Sequence, residues 1–266
     1  MSISPSTAVV TGASSGIGAV YAQRLAARGY DLILVARRAD RLNALSDKLS
    51  RAHGIKTRVL VADLAKESDL ADVEAVLQRD ANVRLLVNNA GVARLRPFVQ
   101  SSVEDSVSQI ALNITALTRL THAVLPGFVA RNEGAVINVA SILAVQALPI
   151  SAVYSATKAF VLQFSRGLQG ELASTGVKVQ AVMPAATETE IWTESTSGVP
   201  LSALAQGTVM SAEDMVDAAL AGFDQGEAVT WPSVGDAGLW DTFDAARSAL
   251  FGATQTGTPA ARYTKA

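Results

Sequence analysis

Short apolar runs alternate along this chain with longer segments that have the periodicity of amphipathic helices. The runs are typical of buried strands, because their apolar residues are continuous and lack the period of two seen where one face meets water. They lie at residues 7–10, 31–36, 57–61, 84–87, 135–139, 177–183 and 228–231. Strands that alternate with helices form a parallel sheet with helices on both faces. The sequence therefore predicts an α/β fold around a doubly wound parallel sheet.

Helical patterns fill the intervals between the predicted strands. The first reaches Gly29, and the others cover residues 40–53, 67–79, 103–130, 153–173, 211–223 and 236–251. No repeat or linker interrupts the chain, so we expect a single domain over residues 1–266. Residues 190–210 mix apolar side chains with glycine, serine and threonine, which predicts a mobile lid or, alternatively, a loop that covers the core. Small polar residues over 252–266 predict a loose C-terminal tail.

The composition excludes several classes of site. The formal net charge is -2, so no strong basic field attracts nucleic acid or anionic lipid. Cysteine is absent, which excludes disulfides and thiolate metal sites, and the two histidines, His53 and His122, lie far apart, so no metal site is expected. The N-terminus lacks the layout of a signal peptide, and no apolar run reaches the roughly 18 residues of a spanning helix. We expect a soluble cytoplasmic protein.

Tyr154 and Lys158 lie four residues apart in a predicted helix, and therefore on one face, one turn apart. A phenol has an ordinary pKa of about 10, and a neighbouring ammonium lowers that pKa by stabilising the phenolate. Ser141 follows the predicted strand at 135–139, where its hydroxyl can come close to the phenol. Two hydroxyls and an ammonium at one point suit proton transfer to a carbonyl oxygen. On spacing alone, an ordinary helix pair is the alternative.

A glycine-rich turn ends the first predicted strand. The sequence Thr11-Gly-Ala-Ser-Ser-Gly-Ile-Gly18 leads directly from this strand into a helical pattern. Strand, glycine turn and helix together present backbone N–H groups and a helix N-terminus to a phosphate. A plain tight turn is the alternative, but the position at the first strand–helix junction favours a dinucleotide site. Its candidate residues are Gly12, Ser14, Ser15, Gly16, Ile17 and Gly18.

Arg37 and Arg38 directly follow the second predicted strand. In dinucleotide folds an acidic residue near this point binds the ribose 2′-hydroxyl, whereas an arginine accommodates a 2′-phosphate. Arginine suits phosphate through its charge and forked geometry, so the pair favours NADP over NAD, with two solvated arginines as the alternative. Ligands of such sheets bind beyond the carboxyl ends of the strands. Residues at these predicted ends share one edge: Thr11, Arg37, Asp63, Asn88, Ser141 and Pro184.

Residues 6–232 resemble the short-chain dehydrogenase/reductases through motifs whose order and spacing are specific. These motifs are Thr11-Gly-x-x-x-Gly-x-Gly18, Asp63-Leu64, Asn88-Asn-Ala-Gly91, Asn113, Ser141 and Tyr154-x-x-x-Lys158. The resemblance implies a Rossmann-like fold with a seven-stranded parallel sheet, in one dinucleotide-binding and catalytic domain. It also implies a nicotinamide cofactor, which the arginine pair indicates to be NADPH.

The resemblance assigns roles to individual residues. Tyr154 would donate the proton to a carbonyl oxygen, and Ser141 would hydrogen-bond that oxygen. Lys158 would lower the pKa of the tyrosine and bind the nicotinamide ribose, and Asn113 would hold a water that links Lys158 to bulk solvent. Adenine and adenosine-ribose contacts are implied at Asp63, Leu64, Asn89, Ala90 and Gly91.

One segment departs from the pattern of the family. Pro-Gly usually follows the sixth strand, whereas this chain has Pro184-Ala185, and alanine has less backbone freedom than glycine. Contacts at the nicotinamide end are implied for Pro184, Thr187 and Thr189. The substrate pocket is expected to be mostly apolar and to suit a hydrophobic carbonyl compound. Its predicted residues are Leu143, Val145, Gln146, Leu148 and Trp192.

The residues favour an NADPH-dependent carbonyl reductase, a ketoreductase that acts on a ketone or aldehyde. An alcohol dehydrogenase that works mainly in the oxidative direction is the alternative within the enzymes. A hydrolase is disfavoured, because no histidine in the sequence is placed to activate Ser141. A non-catalytic NADP-binding sensor or scaffold is the alternative outside the enzymes, since the fold alone permits it. The resemblance also implies a homotetramer or homodimer, paired through the helices that carry Asn113 and Tyr154.

Overall fold

Seven parallel strands form one sheet in the part of the chain that ends at Pro232. In chain order they are β1 (Thr7–Thr11), β2 (Asp31–Ala36), β3 (Thr57–Val61), β4 (Val83–Asn88), β5 (Gly134–Val139), β6 (Val177–Val182) and β7 (Val229–Thr230). Their spatial order is β3-β2-β1-β4-β5-β6-β7, and every neighbouring pair is parallel. The chain therefore winds outward in both directions from β1 and β4, and the predicted α/β fold is confirmed.

The computed structural model describes residues 6–264, which separate into two compact units, one that ends at Pro232 and one that begins at Ser233. The first unit holds the sheet and the helices α1 (Gly16–Ala27), α2 (Ala39–His53), α3 (Glu67–Arg79), α4 (Val103–Ile110), α5 (Leu117–Arg131), α6 (Ala152–Glu171) and α7 (Ala212–Gln225). The second unit holds α8 (Gly238–Ala253) and a 3-10 turn at Ala261–Tyr263. The single-domain organisation predicted from the sequence stays a prediction.

Both faces of the sheet are buried along its inner strands, as their continuous apolar runs require. In β1, Ala8 and Val10 pack into a core cluster that includes Leu25 of α1 and Val216 of α7. Val9 lies between them in sequence and packs on the opposite face, in a cluster with Leu120 of α5. Successive residues of a strand point to opposite faces, so a strand between two layers of helices must be apolar at every position.

One predicted helix at 103–130 is interrupted in the structure. Between α4 and α5, residues Ala111–Ala116 form a π-helical turn, which shifts the side-chain register by widening the backbone. Asn113 lies in this turn and is buried, with 2% of its surface exposed. An amide at such a position needs hydrogen-bond partners, and the partners it finds belong to the site described below.

The predicted lid at 190–210 carries little regular structure. It holds a 3-10 turn at Leu201–Ala203, and Met210 pairs with Thr187 in an isolated parallel bridge. Several of its side chains are partly buried, including those of Ile191 and Trp192. Both the mobility of this segment and the looseness of the tail at 252–266 stay predictions.

Two parts of the sequence-based predictions fall on residues that the structure leaves undescribed. Residues 1–5, where the sequence disfavours a signal peptide, and residues 265–266, at the end of the predicted tail, lie outside the described residues. Within residues 6–264, no helix combines the length and the apolar character needed to cross a membrane.

Candidate active site

A cavity of about 580 Å³ opens at the carboxyl ends of the strands in the first unit. It extends from the turn after β1 to the segments that follow β5 and β6. The topology predicts a ligand here, because the strand order reverses at β1 and β4. The predicted site residues that line it are Gly12, Ser14, Ser15, Gly16, Ile17, Arg37, Arg38, Asp63, Leu64, Asn89, Ala90, Gly91, Ser141, Leu143, Leu148, Tyr154, Lys158, Pro184, Thr187, Thr189 and Trp192.

Four predicted residues lie outside the wall of this cavity: Gly18, Asn113, Val145 and Gln146. Gly18 packs beneath the glycine turn, and Asn113 lies behind the wall. Val145 is 37% exposed, and the Gln146 side chain donates a 3.2 Å hydrogen bond to the carbonyl of Ala147. The structure thus places Leu143, but neither Val145 nor Gln146, against the cavity.

Tyr154, Ser141 and Lys158 meet at one point of the wall. Ser141 follows β5 and caps a 3-10 turn at Ile142–Ala144, and its hydroxyl lies near enough to the phenol of Tyr154 to act on the pKa of that phenol. Tyr154 and Lys158 lie on one face of α6, with the Lys158 Nζ 5.7 Å from the centre of the phenol ring. Lys158 Nζ donates a 2.8 Å hydrogen bond to the carbonyl of Val139, the last residue of β5. Strand end and helix therefore bring the three side chains together as their spacing predicts.

Burial shifts the pKa values of both titratable groups in this set toward their neutral forms. Burial raises the pKa of the Tyr154 phenol to about 12, and the hydrogen bond from Ser141 opposes this rise. Burial lowers the pKa of the Lys158 ammonium to about 8. The lowering of the phenol pKa by Lys158, which the resemblance implies, stays a prediction.

Asn113 holds the wall together from behind. Its Oδ1 accepts a 2.9 Å hydrogen bond from the backbone N–H of Val92, and its Nδ2 donates to the Val92 carbonyl at 2.9 Å. The same Nδ2 donates to Thr157 Oγ1 at 3.1 Å, one residue before Lys158 on α6. The side chain thus ties the loop after β4 to the helix of Tyr154. The water that the resemblance assigns to Asn113 stays a prediction.

The glycine turn has the shape of a phosphate cradle. Gly12 and Gly16 have φ of 69° and 52°, in the left-handed region that favours glycine. A Cβ on Gly18 would lie 2.3 Å from the carbonyl oxygen of Gly12, so the turn and α1 pack too closely for any side chain. The first turn of α1 holds no acidic residue, and Ser15 at its N-cap gives no side-chain cap. Uncapped N–H groups at a helix start favour an anion, so these residues fit a dinucleotide.

Arg38 reaches across this turn from the end of β2. Its Nη2 donates to Ser14 Oγ at 3.0 Å and to Ser15 Oγ at 2.6 Å, and its Nε donates to Ser14 Oγ at 3.1 Å. Its Nη1 pairs with Glu190 Oε2 at 2.7 Å. Arg37, by contrast, is exposed at the rim. One guanidinium and two hydroxyls are therefore assembled where a 2′-phosphate is predicted.

The loops after β1 and β4 are joined by hydrogen bonds. Thr11 Oγ1 donates to the Val87 carbonyl at 3.1 Å and accepts the N–H groups of Asn89 and Ala90, each at 3.0 Å. The Asn89 side chain donates to the Thr11 carbonyl at 2.9 Å. Asp63 Oδ1 accepts the N–H of Ala65 at 3.2 Å. The bonds of Thr11 and Asn89 join the two loops at this end of the cavity.

The segment after β6 closes the other end. Ala185 stands where the family usually has glycine, and it causes no backbone strain because its φ is not positive. Within residues 6–264, Asn132 is the one non-glycine residue that has a positive φ. Alanine therefore fits at position 185. The carbonyl of Pro184 accepts the N–H of Ile142 at 3.0 Å. The Thr189 side chain lies against Gly16, where a Cβ would come within 2.9 Å of its Cγ2.

Some lining residues are absent from the sequence-based predictions. They are apolar side chains on the loop after β4 and the loop before α6, Leu95 and Ile150, whereas the lining residues Val199 and Leu204 lie within the predicted lid at 190–210. Short loops of this kind carry no periodicity, so the sequence contains no signal for them. Arg41 and Glu190 are also absent from these predictions. Arg41 lies three residues after Arg38, the N-cap of α2, and this spacing is a usable signal.

Residues 6–199 match the short chain dehydrogenase family. The chain belongs to this family. Among solved structures, a short-chain dehydrogenase from Sphingobium yanoikuyae in complex with NADPH is 46% identical, with a TM-score of 0.93 over 97% of this chain and 100% of that one. The bulky-bulky ketone specific alcohol dehydrogenase from Comamonas testosteroni is 39% identical, with a TM-score of 0.89 over 98% of this chain and 99% of that one. Both structures share the Rossmann-like fold of this short-chain dehydrogenase.

Two curated relatives of this short-chain dehydrogenase are longer proteins. A very-long-chain 3-oxoacyl-CoA reductase of Anas platyrhynchos is 37% identical over 181 residues, which cover 66% of this chain and 58% of that protein. The inactive hydroxysteroid dehydrogenase-like protein 1 of Homo sapiens is 37% identical over 179 residues, which cover 66% of this chain and 54% of that protein. The chain thus spans little more than half of the length of these relatives.

Proposed function

We propose that this protein is an NADPH-dependent carbonyl reductase, which reduces a ketone or aldehyde to an alcohol with Tyr154 as the acid. One observation carries the proposal. The phenol of Tyr154, beside Ser141 and one turn from Lys158, faces the same cavity as a glycine turn crossed by Arg38. A proton donor and a dinucleotide cradle in one cavity are what hydride transfer to a carbonyl requires.

In the proposed reaction, the bound nicotinamide supplies the hydride and the protein supplies the proton and the orientation. The Tyr154 hydroxyl donates its proton to the carbonyl oxygen as negative charge develops there. Ser141 Oγ hydrogen-bonds the same oxygen, and its own position is fixed because it accepts the N–H of Leu143 at 3.2 Å. Donors fixed in advance stabilise a developing charge without reorganising at the moment of reaction.

Lys158 is proposed to assist both partners. An ammonium has three donors, and one of them is directed to the Val139 carbonyl at 2.8 Å. The other two are left for the ribose hydroxyls of the nicotinamide half and for electrostatic support of the phenolate. The pKa of about 8 at Lys158 lies close to neutral pH, where a proton relay must lose and regain its proton in each turnover. This pKa suits the role of Lys158 in the relay.

The preference for NADPH is proposed from the polar cluster at the other end. The Arg38 guanidinium with the Ser14 and Ser15 hydroxyls offers charge and hydrogen-bond donors to a 2′-phosphate. The relative from Sphingobium yanoikuyae, whose structure contains NADPH, supports this preference. Pro184, Thr187 and Thr189 are proposed to hold the carboxamide end.

The substrate is proposed to be a hydrophobic carbonyl compound. Apolar side chains dominate the part of the cavity beyond Tyr154, contributed by Leu95, Leu143, Leu148, Trp192, Val199 and Leu204. Burying an apolar substrate against such walls is favourable, by roughly 25 cal/mol per Å² of apolar surface. The relative from Comamonas testosteroni, named for bulky ketones, supports the same class. Turnover restricted to sugars or charged acids would contradict this class.

A panel of ketones and aldehydes tests the proposal, with the consumption of NADPH as the readout and NADH in parallel. Tyr154→Phe removes the proton donor and keeps the ring. We expect turnover with NADPH that falls by at least about a hundredfold in this variant, the lower range for loss of general acid catalysis. Unchanged turnover in the variant would contradict the role of Tyr154. A parallel assay with NADP⁺ and secondary alcohols tests the oxidative direction.

A non-catalytic NADP-binding sensor is the second candidate, because some relatives of this chain are named inactive. Tight NADPH binding without turnover on any compound of the panel would favour it. The presence of Tyr154, Ser141 and Lys158 in contact with the cavity favours the enzyme, since a sensor needs no proton donor. The cytoplasmic location and the lack of nucleic-acid and membrane partners stay predictions from composition.

We also propose that the protein is a homodimer or homotetramer, paired through the helices that carry Asn113 and Tyr154. Apolar side chains on α4 support this proposal, because Val103, Val107 and Ile110 lie at spacings of four and three residues and are 72%, 55% and 44% exposed. This spacing places them on one face of the helix. An exposed apolar stripe of this kind is typical of a surface that another chain covers.

A further inference from the structure

Glu190 lies between two arginines at the rim of the cavity. Its Oε2 accepts a 2.7 Å hydrogen bond from Arg38 Nη1, and its Oε1 accepts a 2.5 Å hydrogen bond from Arg41 Nη1. These contacts hold the pKa of the Glu190 carboxyl at about 2, with the bond from Arg38 as the largest cause. The carboxylate is therefore ionised and engaged on both oxygens at any pH at which the protein is handled.

The contact is long-range and lies at the surface. Glu190 is about 150 residues from either arginine in sequence, and the side chains of Arg38, Arg41 and Glu190 are 40%, 45% and 52% exposed. Ion pairs at such exposure contribute little to the stability of a fold. The contact of Glu190 bears instead on ligand binding, because its partner Arg38 is the cation assembled with Ser14 and Ser15 over the glycine turn.

The Glu190 carboxylate occupies the part of the Arg38 guanidinium that the two serines leave open. Nε and Nη2 are directed to the serine hydroxyls, and Nη1 is directed to Glu190. An anionic oxygen of a ligand would have to accept a hydrogen bond from this same Nη1 or displace the serine hydroxyls from Nε and Nη2. A phosphate monoester carries about -1.5 to -2 charge at pH 7, more than a carboxylate, and so competes well for a guanidinium.

Glu190 also anchors the chain that closes the cavity. Just before it, Thr189 lies against Gly16, and two residues after it, Trp192 Nε1 donates a 2.7 Å hydrogen bond to the Thr187 carbonyl. The N–H of Glu188, two residues before the predicted lid, donates at 2.8 Å to the carbonyl of Met210, the last residue of that lid. The pair with Arg38 and Arg41 is thus the electrostatic link between the lid and the phosphate end.

We propose that Glu190 is an internal competitor for the 2′-phosphate of NADP(H), which holds Arg38 and Arg41 in the free protein and releases them, with the lid, when that phosphate binds. The inference rests on the proposed preference for NADPH. In this role Glu190 lowers the affinity of the protein for 2′-phosphorylated dinucleotides. It thereby sets how strongly the protein prefers NADP(H) over NAD(H). The binding of the cofactor and the opening of the lid then share one contact.

Glu190→Gln tests the inference, because glutamine keeps the size and a hydrogen-bond acceptor and removes the charge. Glu188→Gln is the matched control, since it removes the same charge two residues away on an exposed side chain of the same segment. The probes are adenosine 2′,5′-bisphosphate, which carries the 2′-phosphate without a nicotinamide, and AMP, which lacks it. Isothermal titration calorimetry on the cofactor-free protein measures both, independently of any activity.

We expect E190Q to bind adenosine 2′,5′-bisphosphate about three- to tenfold more tightly than the wild type, the range that two exposed ion pairs support. AMP binding should change by less than a factor of about two under the same rule. E188Q should match the wild type with both probes. Hydrogen exchange of the free protein should be faster over residues 190–200 in E190Q than in the wild type or E188Q.

The outcomes separate the two proposals. If E190Q binds the bisphosphate as tightly as the wild type or more weakly, the proposal that Glu190 competes with the 2′-phosphate is overturned. The proposed preference for NADPH is left intact by that result. An equal gain for AMP also overturns the competitor, because the effect would then not depend on the 2′-phosphate. If neither protein binds the bisphosphate while both bind AMP, the preference for NADPH fails and the competitor fails with it.

Discussion

Lys158 carries a charge at a buried position in the wall of the cavity. The residue is 7% exposed, its Nζ has the Val139 carbonyl as a partner at 2.8 Å, and burial lowers its pKa to about 8. Relative to an ordinary lysine at 10.5, this shift corresponds to about 3 kcal/mol that opposes the folded state at neutral pH, since one pKa unit is 1.36 kcal/mol. The proposed site therefore lowers the stability of the protein that contains it.

Lys158→Met should stabilise the protein while it abolishes turnover. Methionine fills a similar volume without a charge, and the loss of the partner of the Val139 carbonyl offsets part of the gain. We expect the free energy of unfolding at pH 7 to rise by about 1–3 kcal/mol, measured by urea denaturation. A lower stability of the variant at pH 7 would contradict the burial of a charged lysine.

The pH dependence of this gain gives a second check. Between pH 8 and 10.5 the folded state binds fewer protons at Lys158 than the unfolded state does. The contribution of Lys158 to the free energy of unfolding of the wild type therefore rises with pH over that window. The difference between Lys158→Met and wild type should therefore be full below pH 8 and vanish near 10.5. A difference that stays constant across this window would mean that packing, and not charge, separates the two proteins.

At this scale the sequence predicts contacts within one element and misses contacts between distant ones. The spacing of Tyr154 and Lys158 predicts their shared face, and the structure places both on the cavity wall with Ser141. Glu190, which pairs with Arg38 and Arg41, carries no such signal. Its position depends on how the segment after β6 returns to the glycine turn, and that path is a property of the folded chain.

The glycine turn and α1 pack against each other through backbone atoms, with no side chain between them at Gly12 and Gly18. A Cβ on Gly18 would lie 2.3 Å from the Gly12 carbonyl oxygen and 2.5 Å from Asn89 Nδ2, and neither atom is at the end of a free side chain. Asn89 Nδ2 already donates to the Thr11 carbonyl at 2.9 Å. The close approach of α1 to the turn therefore depends on glycine at position 18.

Gly18→Ala should destabilise the protein by about 2 kcal/mol or more, because the added methyl group forces the turn away from α1. Gly167→Ala is the matched control. Gly167 lies in α6 and is exposed, and a Cβ there would meet nothing within 4 Å. Alanine is favoured over glycine in a helix, so this control should gain about 0.5–1 kcal/mol. Thermal unfolding of both variants measures the contrast, and equal effects would contradict the close packing.

Helix and strand positions follow from periodicity, whereas the π-helical turn does not. The predicted helix at 103–130 matches the span of α4 and α5, but Ala111–Ala116 winds differently because the Asn113 side chain bonds to Val92 and Thr157. These partners lie on other elements. Local sequence preferences contain no term for them, so the irregular turn could not be predicted.

The order of the strands brings the separate motifs to one place. Because β1 and β4 are neighbours although they are far apart in sequence, the loop with Gly12 meets the loop with Asn89, and Thr11 joins them. The alternation of strands and helices predicts the parallel sheet, and parallel strands have all their carboxyl ends on one edge. Scattered motifs can therefore be assigned to one site from their positions at predicted strand ends, whereas the walls formed by irregular loops cannot.

The last prediction concerns the assembly of whole chains. The exposed stripe of Val103 and Val107 on α4 is proposed to be covered by a second copy. The double substitution Val103→Lys and Val107→Lys places two ammonium groups at that surface, and burying them unpaired would cost several kcal/mol each. We expect light scattering to give a dimer or tetramer for the wild type and a smaller species for the variant. Val61→Lys, at a valine that is 56% exposed at the end of β3, is the control and should keep the wild-type mass. A monomeric wild type, or a variant that assembles normally, would refute pairing through this helix.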